Sequence, residues 1–143
     1  MPDLLGLPLH PLVVHAVVVL VPLVAVGMLV AVLSAAWAER LRVVLAVLAV
    51  AAAGAGFVAA SSGRTLIAAV PGTPEVARHA DVADLLPWML VATAAAVVSW
   101  AWMGRGDRPT RLVGVVAVIL AVSATVWTVL AGHAGAVAVW GDL

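Results

Sequence analysis

Leu9-His10-Pro11-Leu12-Val13-Val14-His15-Ala16-Val17-Val18-Val19-Leu20-Val21 decides how this chain is read. It opens an apolar run long enough to cross a bilayer as a helix, with no charged residue in it. Two of the chain's 4 histidines, His10 and His15, stand at its mouth. An imidazole at the edge of a hydrocarbon layer is costly to desolvate, and a residue kept there points to binding. The other two, His79 and His133, lie far away in sequence.

Working outward, the composition agrees with a membrane protein. The chain has 143 residues, 66% of them hydrophobic and 10% charged, with a mean hydropathy of +1.24. A soluble domain is nearer half apolar and a quarter charged. The formal net charge is 0, so no nucleic-acid partner is implied. All basic residues are Arg. Cys is absent, which removes disulfides, iron–sulfur clusters, thiolate metal sites and covalent c-type haem attachment. Ala36-Trp37-Ala38 has the small-x-small form of a leader cleavage site. The residues ahead of the apolar run, however, carry Asp3 and no Lys or Arg, and the run is too long for a leader, so no cleavage is expected.

At roughly 20 residues per span, the pattern predicts one domain, 1–143, of four membrane helices over about 12–37, 43–60, 85–103 and 112–131. The fold class expected is an all-α membrane protein, an antiparallel four-helix transmembrane bundle. Pro22 predicts a kink in the first span. Ala38 to Arg42 reads as a charged turn. Ala52, Gly56 and Ala60 recur every fourth residue, the small-xxx-small spacing that brings helices close. Residues 65–70 either extend the second helix or lie at the interface. Pro71 to Pro74 is a turn cluster, and Glu75 to Asp84 an amphipathic helical start; Pro87 predicts a kink or break beyond it. Gly104 to Arg111 is a second charged turn, and residues 132–143 a short tail. Thr93, Ser99, Ser123, Thr125 and Thr128, within spans, read as helix-to-helix or own-helix hydrogen bonds. No internal repeat is visible in the residue types.

Arginines mark the cytoplasmic side of short loops. Arg40, Arg42, Arg105, Arg108 and Arg111 fall in the first and third connections, and only Arg64 and Arg78 fall opposite. A bacterial cytoplasmic-membrane protein with both termini extracytoplasmic is therefore expected. Trp37, Trp100 and Trp102 would form the cytoplasmic aromatic belt, and Trp88 and Trp140 the outer one. The same topology carries His10, His15, His79 and His133 to one outer face, near Asp3, Glu75, Asp81, Asp84 and Asp142. His10 and His15 differ by about 140° in azimuth and roughly 7–8 Å in height on a helix, so they do not point the same way.

Neutral imidazoles without thiolates suit Fe, Cu, Zn or haem iron. A b-type haem needs two histidines from different helices, with small residues making room. His15 with His79 or His133 would supply the ligands, and Gly54, Gly56, Ala59, Gly132 and Gly135 the room. His10, beyond Pro11, is placed at the rim. A haem-free metal site would draw on all four histidines, with Asp81 or Asp84 orienting them. No nucleophile elbow, phosphate loop or dinucleotide fingerprint occurs. A metal permease is weakened because no ionisable residue lies mid-span.

His10-Pro11-Leu12-Val13-Val14-His15, Arg78-His79 and Gly132-His133-Ala134-Gly135-Ala136, with Trp140-Gly141, resemble a bacterial family of small four-helix membrane proteins catalogued as a domain of unknown function. That family typically begins HPxxVHFP and ends near a GHxGG-like motif, and the resemblance covers essentially the whole chain. Ala16-Val17 replaces Phe-Pro, and Ala136 replaces Gly; these departures touch packing more than the histidines. Some relatives are joined to Rieske or cytochrome domains. The resemblance thus implies redox chemistry at His10, His15, His79 and His133, electron transfer, and quinol or a respiratory redox protein as partner. The alternative expectation is a structural or accessory membrane subunit without a cofactor. Homo-oligomers are compatible with either.

Reporter fusions at Leu143 and at Gly106 should report opposite sides of the membrane, with Leu143 outside. A cytoplasmic Leu143 would place every histidine inside and overturn the arginine argument.

Overall fold

The structure, a computed structural model, describes residues 3–4, 7–70, 72–103 and 108–141. Asp3–Leu4 (β1) pairs antiparallel with Leu7–Pro8 (β2). Most of the remaining described chain is helical: α1 Leu9–Leu33, α2 Ala35–Ile67, α3 Pro74–Asp84, α4 Leu86–Trp102 and α5 Arg108–Trp140. Four stretches, Leu9–Leu33, Ala35–Ile67, Pro74–Trp102 and Thr110–Trp140, are long and apolar enough to cross a membrane. The expected all-α membrane bundle is what forms.

The boundaries shift for physical reasons. The break between the first two helices is Ser34 alone, extended at φ −141° and ψ 115°. Ala38 to Arg42, expected as a turn, is the first part of α2, because Ala, Glu, Arg and Leu are good helix formers and no Gly or Pro interrupts them. Residues 65–67 extend α2. Pro22 lies inside a continuous α1. Thr73 caps α3 by accepting the Val76 N–H at 3.3 Å, with Pro74 following and Glu75 in the first turn. The break expected around Pro87 falls at Leu85. The expected tail is helix as far as Trp140. Gly104 to Asp107, with Arg105 and Gly106, lie outside the described residues, as do Pro71, Asp142 and Leu143.

The helices close a ring in which α1 packs on α2, α2 on α4, α4 on α5 and α5 back on α1, with α3 laid against α5. The interior is built from small residues. Ala49, Ala52, Gly56, Ala117, Ala121 and Ala124 are all buried, and the backbones approach closely there. Val19, Val26, Leu33, Val43, Val129 and Val139 point outward, which in a bilayer means toward lipid. Thr93, Thr125 and Thr128 each donate to the carbonyl four residues earlier, at 2.8 Å, which satisfies these three hydroxyls within their own helices. Trp37, Trp88, Trp102 and Trp140 are exposed as a belt requires, but Trp100 is buried, 4% exposed, inside the bundle.

The ring is two similar hairpins. Val17, Val21, Val24, Ala25, Met28 and Ala31, the buried residues of α1, match Leu86, Leu90, Thr93, Ala94, Val97 and Trp100 of α4 at one constant offset in sequence. Leu45, Ala49, Ala52 and Gly56 of α2 match Ala117, Ala121, Ala124 and Thr128 of α5 at another. Each hairpin runs down one helix and back along the next, so the pseudo-two-fold axis lies along the bundle.

A Cβ on Gly56 would stand 2.7 Å from Leu90 Cδ1, whereas one on Gly54 would meet nothing within 4 Å. Gly56→Leu should therefore cost about 1–3 kcal/mol through overpacking and lower the melting temperature in detergent. Gly54→Leu should not lower it. Equal effects would mean that the Gly56 face is not packed on α4.

Candidate functional site

The two hairpins meet at one end around a cavity of about 650 Å3. Its wall is mainly apolar, from Val14, Val17, Gly56, Ala60, Ile67 and Ala83 among others, and His10, His15 and His79 line it.

His10 comes from the first turn of α1 and His79 from the middle of α3. Both are half-buried. Their ring centres are 6.4 Å apart, with the ring planes at 75°. His10 Nδ1 lies 2.9 Å from the carbonyl oxygen of Ala59 on α2, and His79 Nδ1 lies 3.0 Å from that of Ala131 on α5. A carbonyl oxygen only accepts, so each Nδ1 carries a proton and donates it. In the neutral ring the lone pair is then left on Nε2.

The two anchors are built alike. Four residues beyond Ala59 is Gly63, and four beyond Ala131 is Gly135, one turn on along the same helix face. A Cβ on Gly63 would stand 2.9 Å from His10 Cε1, and one on Gly135 would stand 3.1 Å from His79 Cε1. Each ring lies in a notch opened by the missing side chain of a glycine. The constant offset between α2 and α5 that matches their buried residues also matches Ala59 to Ala131 and Gly63 to Gly135.

The remaining histidines are placed differently from expectation. His15, expected as a ligand, is exposed on α1, although it lines the cavity; its Nδ1 is 2.6 Å from the Pro11 carbonyl of its own helix. His10, expected at the rim, belongs to the inner pair, because the helix phase turns it toward α2. His133 is exposed and lies outside the cavity lining. Asp81 and Asp84 are exposed. Asp84 pairs with Arg64 at 3.3 Å, and backbone carbonyls orient the inner rings. Among the described residues no group of three or more His, Cys, Asp or Glu gathers into a metal site. Of the residues expected to make room, Gly56, Ala59, Gly132 and Gly135 line the cavity, while Gly54 faces away. Gly63 was not anticipated, and its only sequence signal is the Ala-x-x-x-Gly spacing that it shares with Ala131 and Gly135.

α3 buries no residue of its own, so something else must hold His79 in place. Trp127 of α5 does so in part: its indole N–H donates to the Val82 carbonyl at 2.7 Å.

The model of one family, described as "Predicted membrane protein (DUF2231)", matches residues 6–142. No curated protein and no solved structure matches the chain.

Trp127→Phe keeps the ring and removes the bond to α3. It should cost about 1 kcal/mol and speed amide exchange across 76–84. Unchanged exchange there would show that α3 is held by other contacts.

Proposed function

The chain belongs to the DUF2231 family of predicted membrane proteins, and we propose that it binds a b-type haem between His10 and His79 and transfers electrons through it. The observation that carries this reading is the pair of imidazoles, one from each hairpin, each with Nδ1 on a backbone carbonyl, an arrangement that in the neutral ring leaves the lone pair on Nε2. Carbonyl-anchored rings of this kind are how proteins fix the tautomer and direction of a metal-binding histidine.

The spacing supports it. Two imidazoles on opposite sides of one ion, with metal–nitrogen bonds of about 2.0–2.1 Å, put their ring centres roughly 6 Å apart; here they are 6.4 Å apart. The ligand count favours haem over a bare ion. A structural zinc takes four protein ligands, and no third His or carboxylate joins the pair among the described residues. Haem iron needs only the two axial ligands. A porphyrin also presents two equivalent faces, which suits a site made of two equivalent anchors. The apolar cavity would enclose the macrocycle, and Arg64 lines it as a candidate partner for a propionate. When bound, the haem supplies the one-electron chemistry. His10 and His79 would hold it, and the apolar lining would shield it from water.

The arginine bias supports a setting in the bacterial cytoplasmic membrane with both termini and the haem end extracytoplasmic. Quinol or a respiratory redox protein is the partner class proposed. The competing reading is a structural subunit in which the two rings only tie α1 to α2 and α3 to α5. It is favoured by the fact that each Nδ1 already has a helix partner.

The test is the reduced-minus-oxidised optical spectrum of the gently purified protein, with haem and metal content, for wild type and four single His→Ala variants. Wild type should carry stoichiometric haem. His10→Ala and His79→Ala should lose it, His15→Ala should weaken retention, and His133→Ala should leave it unchanged. Stoichiometric metal without haem would replace the haem by an ion. Neither haem nor metal, with all variants equally folded, would leave the structural reading.

A further inference from the structure

The opposite end of the bundle holds a second cavity, independent of the histidine pair. It has a volume of about 500 Å3, with an apolar wall including Ala31 and Val32 and a polar side formed by Glu39, Arg42, Thr110 and Arg111. The internal repeat breaks down here. At the offset that matches α2 to α5, Gly114 takes the place of Arg42 and Arg111 that of Glu39. Arg42 fills its own groove: Nη1 donates to the carbonyls of Ala101 at 3.0 Å and Met103 at 3.3 Å, at the C-terminal end of α4, and the guanidinium lies 5.9 Å from the Trp100 ring centre. In the matching groove between α5 and α1, Gly114 has no side chain with which to do the same.

Two observations point to an anion. Arg42 Nε is buried and has no hydrogen-bond partner among the described residues, and an unmet buried donor on a charged group is costly. Also, α5 begins at this cavity with no acidic residue in its first turn and with Arg111 there instead. A helix N-terminus stabilises negative charge and disfavours a cation. Among the described lining residues, two guanidinium groups stand against one carboxylate, Glu39. The exposed Trp37 and Trp102 place this end at a membrane–water boundary.

We propose that the cavity binds the phosphate of an anionic phospholipid from the leaflet at this end. Arg42 and Arg111 hold the phosphate, and the apolar wall takes the glycerol and the start of an acyl chain. Basic pockets between membrane helices bind lipid headgroups in this way. The same phosphate chemistry is available from soluble phosphate, and the experiment separates the two.

Delipidated full-length protein in a neutral detergent is titrated with phosphatidylglycerol, phosphatidylcholine or inorganic phosphate, and the apparent melting temperature is followed. Phosphatidylglycerol should raise it saturably, and the other two should not. Arg111 is exposed, so Arg111→Gln should fold normally and weaken the phosphatidylglycerol response at least about tenfold, the factor carried by one charge-assisted hydrogen bond. Arg42→Gln should lose both the response and some basal stability. Arg78→Gln, at the histidine end, should respond like wild type. Equal responses to phosphatidylglycerol and phosphatidylcholine, or a wild-type response in Arg111→Gln, would overturn the proposal. Inorganic phosphate reproducing the whole shift would overturn the lipid assignment.

Discussion

Access of an imidazole to a helix carbonyl is the constraint on which the histidine end depends. In a bilayer, a polar group without a partner is expensive, so helical backbones ordinarily leave nothing exposed. In a regular helix the carbonyls of Ala59 and Ala131 already accept the N–H four residues on. Each oxygen has a second lone pair, but a side chain at that fourth residue would cover it. Gly63 and Gly135 remove the cover, and the rings of His10 and His79 lie in the openings. The packing, the tautomer and the ring direction all follow from that single arrangement, made twice.

The two ends of the bundle use the repeat in opposite ways. At the histidine end the hairpins agree, and agreement makes two matched anchors for something with two equivalent faces. At the other end they disagree. Arg42 has no counterpart at Gly114, and the sign of the charge reverses between Glu39 and Arg111. An asymmetric, cationic recess results. One scaffold thus carries a symmetric site and an asymmetric one, separated by a mainly apolar interior in which no ionisable group intervenes among the described buried residues.

Much of the fold is legible in the sequence. Hydropathy and length give four spans, and Ala52 and Gly56 mark a helix contact by spacing alone. Helix ends were less legible. Ala38 to Arg42 looks like a turn because it is charged, but charge does not stop a helix when every residue favours one, and the break falls at Ser34. The histidine end was legible as a neighbourhood but not as a pair. Depth along α1 singles out His15, yet helix phase decides which ring faces the bundle, and His10 faces it. The repeat is not visible in the sequence because it is preserved in burial rather than in residue type. Gly56 stands opposite Thr128 and Ala31 opposite Trp100, and the offset changes between the outgoing and returning helices.

In their neutral form, His10 and His79 are protonated at Nδ1 and bare at Nε2. Nitrogen NMR of the haem-free protein, labelled at histidine and assigned through single His→Gln variants, reads this directly. The account predicts a protonated Nδ1 and an unprotonated Nε2 at both residues. Protonated Nε2 with bare Nδ1 at either one would contradict it, because that ring could neither donate to its helix carbonyl through Nδ1 nor offer Nε2 to a shared ligand.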